Sequence, residues 1–432
     1  MIRKKVDRPS TITPMSASRL KGTKRAKAMQ RAKMSFITKV AVGVVLLWGG
    51  VTVAPGLALE LALGLPLGLS IGLPKVLAES SQSSGNRSKQ RIDGLYTENR
   101  EAAISFQQGV RLYSQGNLVE AERQFRRALS FDANIAMGHY LLGNIALQRG
   151  QADNAITEFR TAGTLDPNFA EAFFNLGVAL EAKGDTQGAL AEYRRVISVR
   201  PEDWRGHYNA GVILVQQNNL SEAIALFSEA VRLNPNSPLA QIQLGLALQA
   251  DNQVAPATAA LSQAIRLDPR SPTPYYQLGR LLVLQNNFAG AIENFQKAID
   301  LAPNVSEYRQ ELGVAQTRSG DYRAAISTLE GVLARTPNDA IVRYNLAVAL
   351  QRSGNFQGAI DEYDRSLRIN SNQPDAFYNM ALAMKELGRN SQAVDTLLSA
   401  RRLFDPNVSA EKIAMIDRLL VDIIFPFPER RG

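Results

Sequence analysis

The stretch "AEAFFNLGVALEAKGDTQGALAEYRRVISVRPED", residues 170–203, contains an apolar octamer, "FFNLGVAL", with an asparagine in its third place. Copies of the octamer begin at His207 ("HYNAGVIL"), Arg343 ("RYNLAVAL") and Phe377 ("FYNMALAM"), so Asn175, Asn209, Asn345 and Asn379 are separated by multiples of 34 residues. Prolines keep the same period without a slip, at Pro167, Pro201, Pro235, Pro269, Pro303 and Pro337. With that proline as the thirty-second residue, units start at 136, 170, 204, 238, 272 and 306, and the frame extends back to 102 and forward to 340 and 374. Nine units therefore cover 102–407. A fixed period of this length is the mark of a stacked array rather than of a string of separate domains.

Inside the unit, the eighth residue is Gly109, Gly143, Gly177, Gly211, Gly245, Gly279, Gly313, Ala347 or Ala381, and the twentieth is alanine in every unit, from Ala121 to Ala393. Between them lies a break such as "KGD" (183–185), "QNN" (217–219) or "SGD" (319–321). The pattern predicts a helix–turn–helix hairpin whose small residues let two helices approach closely. Phe125, Phe159, Tyr193, Phe227 and Phe295, each four residues after the alanine, are expected to fill the seam. The proline ends the second helix, because it lacks an N–H and restricts the residue before it. Asp203, Ser237, Ser271 and Asp339 close their units where the next helix begins, and each suits an N-cap. After the array, Ile413, Ile416, Leu419, Leu420, Ile423 and Ile424 fall at helical spacing in 409–425, which predicts an amphipathic helix over the last unit's open face. The closing "FPFPERRG" reads as a frayed terminus or as a docking peptide.

These residues resemble the tetratricopeptide (TPR) pattern: a 34-residue period with Leu-Gly early, Ala and then an aromatic in the second helix, and Pro at the end. The resemblance implies an all-α fold, a right-handed superhelical solenoid of about nine repeats with a C-terminal capping helix. Ala133 and Ser371 replace the proline in the first and eighth units, and the ninth has Asp405 followed by Pro406. Terminal units of a solenoid commonly deviate, since one face has no neighbour.

The formal net charge is +9, but residues 1–78 alone carry 13 Lys/Arg against 2 Asp/Glu, which leaves 79–432 at about −2. A phosphate-backbone binder needs its bases on the folded surface, so no nucleic-acid partner is expected. The chain has no cysteine and two histidines, His139 and His207. That excludes disulfides, thiolate metal sites and a cysteine nucleophile.

Residues 1–34 hold eleven bases and one acid, Asp7, without apolar periodicity, and read as a basic disordered tail. A hydrophobic membrane-targeting segment is expected over 35–78. Within it "VAVGVVLLWGGVTVAPGLAL", residues 40–59, has no charge and is long enough as a helix to cross a bilayer core. It reads either as an uncleaved signal anchor or as a long signal peptide cut near Ala78; a bipartite organelle import sequence is a third reading. Bases before the span place the repeats on the far side of the membrane, so the expectation is a single-pass anchored protein with an extracytoplasmic array, or a periplasmic or lumenal one after cleavage. A polar linker, 79–101, then leads to the first repeat.

The fifth residues of the units are Phe106, Tyr140, Phe174, Tyr208, Ile242, Tyr276, Gln310, Tyr344 and Tyr378, and the sixth are Gln107, Leu141, Asn175, Asn209, Gln243, Gln277, Glu311, Asn345 and Asn379. In the TPR family this side of the first helix lines a concave groove. The resemblance thus implies a stripe of aromatics beside a ladder of amides, similar to TPR superhelices that grip extended chains through inner asparagines. An amide can pair with peptide backbone of any sequence, and tyrosine adds a large face with one hydrogen bond. Candidate peptide contacts are Asn175, Asn209, Gln243, Gln277, Asn345 and Asn379 with Phe174, Tyr208, Tyr276, Tyr344 and Tyr378. The alternative is that these are consensus residues that pack between units. The break at Gln310 and Glu311 suggests two shorter binding segments.

TPR co-chaperones hold a C-terminal carboxylate with a basic fifth residue, which this array lacks. Arg280, Arg318, Arg352 and Lys385 lie elsewhere in the first helices, as a modest basic patch or a solvated face. His139 and His207 are fourth in their units, where Phe173, Tyr275 and Phe377 mark a packing position, and so read as core histidines rather than catalysts. No phosphate loop, metal-ligand cluster or nucleophile motif is present, so no enzyme activity, cofactor, metal or small-molecule substrate is expected. The expected function is a non-enzymatic scaffold or assembly factor for a protein or extended peptide, at or across a membrane, or else an accessory substrate-recruiting subunit of an envelope or organelle enzyme.

Overall fold

A computed structural model describes residues 97–405 and 409–425, which form nineteen α-helices and, among the described residues, no strand. The tail 1–34, the membrane-targeting segment 35–78 with Ala78, linker residues up to 96 and the last seven residues lie outside the described residues. No helix among the described residues is long and apolar enough to cross a membrane.

The chain groups into two compact units that meet in sequence between Asp185 and Thr186. The first holds α1 (Arg100–Ser114), α2 (Leu118–Phe131), α3 (Ala136–Gln148), α4 (Ala152–Leu165) and α5 (Ala170–Lys183). The second begins with α6 (Thr186–Val199), α7 (Trp204–Gln216), α8 (Leu220–Leu233), α9 (Pro238–Ala250) and α10 (Val254–Leu267). It continues with α11 (Pro272–Leu284), α12 (Phe288–Leu301), α13 (Ser306–Ser319), α14 (Tyr322–Leu333) and α15 (Ala340–Arg352). It ends with α16 (Phe356–Ile369), α17 (Pro374–Glu386), α18 (Asn390–Leu403) and α19 (Ala410–Ile424). In each unit successive helices pack on one another; α3 also touches α5 in the first unit, and in the second each odd-numbered helix from α7 to α15 touches the next one.

Small residues set the hairpin seam. A Cβ built on Gly143 would lie 2.6 Å from the Phe159 ring, and one on Gly279 2.7 Å from Phe295, so the eighth glycine is the seat of the twenty-fourth side chain. Leucine takes that seat over Gly245 and Gly313, as Leu261 and Leu329. The turn has a stricter rule than the breaks in sequence suggest. The fifteenth residue of all nine repeats has positive φ: Gly116, Gly150, Gly184, Gly320, Gly354 and Gly388, with Asn218, Asn252 and Asn286 at φ 57–59. Glycine carries no penalty in the left-handed region and asparagine tolerates it best of the rest.

Three of the four expected caps form. Asp203 accepts from Arg205 N, Ser237 from Ala240 N, and Asp339 from Ile341 N and Val342 N. Ser271 precedes α11 but makes no cap bond, because Pro274 occupies the third helical position and has no N–H to offer. Burial alone would raise the Asp203 carboxyl, but hydrogen bonds and charge from Arg205 outweigh it and hold the group below its ordinary value.

At the front, Asn99 caps α1 through Ala102 N, so the helix begins at Arg100, inside the stretch read as linker. At the back, α19 buries Ile416, Leu420 and Ile423 against α18 residues such as Leu397 and Ala400. Ile424, expected on that face, is exposed.

Candidate interaction surface

The fifth and sixth residues meet each other across repeats. Asn175 Nδ2 on α5 donates to Tyr140 Oη on α3 at 3.3 Å and to Asn144 Oδ1 at 2.7 Å. Asn379 Nδ2 on α17 donates to Tyr344 Oη on α15 at 3.0 Å, and Gln243 on α9 opposes the burial that raises the Tyr208 phenol on α7. In each pair the amide follows the tyrosine by 35 residues, one repeat plus one place. Burial pushes the Tyr208 phenol up to about 12. The same burial raises Tyr344, against the Asn379 bond.

Where the earlier residue has no hydroxyl, the amide loses its partner. Ile242 precedes Gln277 by 35 residues, and Gln277 Oε1 is buried without a hydrogen bond. Both side-chain polar atoms of Asn209, on α7, are also buried and unpaired. Asn175 and Asn209 are 2% and 1% exposed, and Phe174 is 1% exposed, so these three are core groups as they stand. Tyr208 and Tyr276 are buried too, while Gln243, Gln277, Tyr344, Asn345, Tyr378 and Asn379 are half-buried.

One junction breaks the pattern with a charge. Glu311 occupies the amide position after Tyr276, and the tyrosine hydroxyl donates instead to Glu307 Oε1 at 2.5 Å. The Tyr276 ring stacks on Tyr308 at 4.7 Å between centroids and has the Arg280 guanidinium 5.8 Å from its centre. Burial raises the Glu311 carboxyl above its ordinary value, reinforced by Glu307 and opposed by Arg280 and Arg318.

The fourth residue has a role that packing alone did not indicate. His139, His207, Tyr275, Arg309 and Arg343 each reach the backbone carbonyl six residues earlier, that of Ala133, Pro201, Pro269, Pro303 or Pro337. A donor there satisfies a carbonyl next to the end of the preceding hairpin. His139 also faces Glu158 Oε2 at 2.7 Å, as Arg343 faces Glu362 at the same distance in the equivalent places six repeats later. The sequence signal was available: these five side chains all carry an N–H or O–H. Among the described residues no group of three His, Asp or Glu side chains is placed to hold a metal.

Tetratricopeptide-repeat family models match residues 174–238 and 311–374, 143–184, 214–282, 272–305 and 375–405. Together they run from 143 to 405 with a gap at 306–310. This chain is a tetratricopeptide-repeat protein. Similar solved structures include a TPR protein, YrrB, described as having an unusual peptide-binding site (23% identity, TM-score 0.39, covering 43% of this chain and 95% of that one). Pseudomonas aeruginosa pilF matches at 22% identity and TM-score 0.42, over 48% of this chain and 95% of its own. A tetratricopeptide repeat protein of Parabacteroides merdae matches at 14% identity and TM-score 0.47, over 57% and 98%. A search of curated proteins returns no match. The repeat family supports a protein-interaction scaffold.

Proposed function

We propose that this TPR protein is a non-enzymatic scaffold or assembly factor that binds an extended segment of a protein partner along the face carrying the fifth and sixth residues, at or across a membrane. The observation that carries the reading is Gln277, an amide at the expected contact position, half-buried with a side-chain oxygen that has no partner within the fold. Asn345 and Tyr378, half-buried on α15 and α17, extend the same face. Asn379 is already committed to Tyr344, so it braces the array and presents the face rather than grips the ligand first. The membrane part of the reading rests on the uncharged run 40–59 behind a basic tail.

The test is a photo-crosslinking capture from detergent-solubilised membranes with the full chain, a crosslinker replacing Gln277, Asn345 or Tyr378. A crosslinker at Val119, an exposed residue outside this face, serves as control. One protein partner should be captured from the three face positions and not from Val119. Equal capture from all four, or none from the face, would refute the groove; a captured catalytic polypeptide would favour the accessory-subunit role.

A further inference from the structure

Three consecutive repeats of the second unit carry an exposed cation at nearly one register: Arg318 on α13, Arg352 on α15 and Lys385 on α17. Each stands one helical turn beyond a half-buried aliphatic residue, Val314, Val348 and Leu382 respectively. Arg318 lies two turns from Glu311, Arg352 two turns from Asn345 and Lys385 two turns from Tyr378, so all three share the face discussed above. None makes an ion pair among the described residues, although Arg318 acts on Glu311 and Arg352 on Tyr363 through their fields. Other bases in this unit do find acids, as in Arg343–Glu362, Arg401–Asp417 and, on the capping helix, Lys412–Asp375.

A base in the last turn of a helix complements the macrodipole. That does not account for the row, because α7, α9 and α11 of the same unit end without one. Spacing gives the row its meaning. α13 touches α15 and α15 touches α17, and touching helices lie about 8–10 Å apart. A polyproline-II chain rises about 3.1 Å per residue with three residues per turn, so every third side chain returns to the same side after about 9 Å. A β-strand with its period of two would turn every other such side chain away.

We propose that the α13–α15–α17 face takes an acidic peptide segment in polyproline-II conformation, with Asp or Glu at i, i+3 and i+6 meeting Arg318, Arg352 and Lys385. Val314, Val348 and Leu382 pack beneath the ligand backbone. The inference rests on the peptide-binding reading above and adds to it the charge and register of the ligand.

The test uses the full chain in detergent and fluorescein-labelled twelve-residue peptides read by anisotropy. One peptide carries Glu at every third position, a second has the same composition with the glutamates contiguous, and a third has Lys in place of Glu. The spaced acidic peptide should bind about tenfold more tightly than the contiguous one, and the lysine peptide should not bind. Affinity should fall as salt is raised. The combined R318E/R352E/K385E variant, with an unchanged circular dichroism spectrum, should lose the spaced peptide and bind the lysine peptide instead. Equal binding of both acidic peptides, binding that survives charge reversal, or no binding at all would overturn the inference. Photo-crosslinked capture of a partner that persists in the charge-reversed variant would leave the scaffold reading standing and refute this register alone; loss of capture at Gln277, Asn345 and Tyr378 in wild type would refute the scaffold reading.

Discussion

The α3–α5 junction of the first unit and the α11–α13 junction of the second are built on the same floor. Tyr140 meets Phe159 at 5.9 Å and 50°, and Tyr276 meets Phe295 at 6.0 Å and 49°. Above that floor they diverge. In the first, Asn175 closes the junction with two hydrogen bonds to neutral partners. In the second, a carboxylate takes the amide's place, the phenol turns to Glu307, and burial raises the Glu311 carboxyl. The hairpin thus fixes the fold through its seam, while two positions on one face decide whether a junction is closed or keeps polar groups in reserve.

The largest expected effect tests the shared floor. Phe159→Ala and Phe295→Ala each remove a fully buried ring and should cost about 3–5 kcal/mol in urea denaturation followed by circular dichroism. If the floors are equivalent the two costs agree to within about 1 kcal/mol. A much smaller cost at Phe295 would mean that the second junction is loosely packed as well as differently bonded.

Replacing the groups above the floor should separate the junctions. Asn175→Leu strips the Tyr140 hydroxyl and Asn144 Oδ1 of a donor in a buried setting, for a loss of about 1–3 kcal/mol. Glu311→Gln goes the other way, since a glutamine carries no charge to desolvate and can donate to the Tyr276 hydroxyl oxygen. It should be neutral or stabilising. A destabilising Glu311→Gln would show that the carboxylate is held by its arginine neighbours more strongly than burial opposes it.

Proton linkage gives the contrast a sign. Burial puts the folded Glu311 carboxyl above its unfolded value, so its contribution is full below that value and fades as pH rises through the folded one. Glu122 in the first unit runs oppositely. Burial raises it, but hydrogen bonds and charge from Arg149 and Arg126 together outweigh burial and hold it below its ordinary 4.5, so its contribution is present above that value and lost as pH falls. Urea midpoints measured from pH 3 to 7 should therefore show Glu311→Gln gaining on wild type as pH rises past about 4.5, and Glu122→Gln gaining as pH falls below it. Parallel shifts in both variants would refute the assignment.

Much of this architecture was legible in the sequence because it follows from a period and a few small residues. Gly143 and Gly279 sit at their fixed place since nothing larger fits under Phe159 and Phe295, and such a constraint repeats visibly. The N-cap at Ser271 was misread because the rule concerns the cap residue alone, whereas the bond also needs a donor at Pro274. The fifth and sixth residues were read as a groove lining, but their pairing with one another was not, because the period of 34 hides a bond that joins residues 35 apart. That spacing is present in the string: an amide follows Tyr140, Tyr208 and Tyr344 at 35 and an acid follows Tyr276. The donor function of His139 and His207 was hidden by comparison with Phe173 and Phe377, which share their place and have no N–H to give.

The smallest expected effect lies in the turns, where the two regions also differ. Turns in the first unit's repeats use Gly116, Gly150 and Gly184, whereas the second unit begins with Asn218, Asn252 and Asn286 before returning to glycine. At φ near 59, asparagine accepts a backbone strain that glycine does not feel, but glycine loses more freedom on folding. The two terms oppose each other. Asn252→Gly should therefore shift stability by no more than about 0.5 kcal/mol, and Gly150→Asn by a similarly small loss. Gly150→Val, with a β-branched side chain at φ 70, should cost about 1–2 kcal/mol, even though no atom lies near enough to clash with a Cβ there. Because that space is open, any larger cost, read by thermal unfolding, would show that the turn is constrained by its neighbours and not by the conformation of its own backbone.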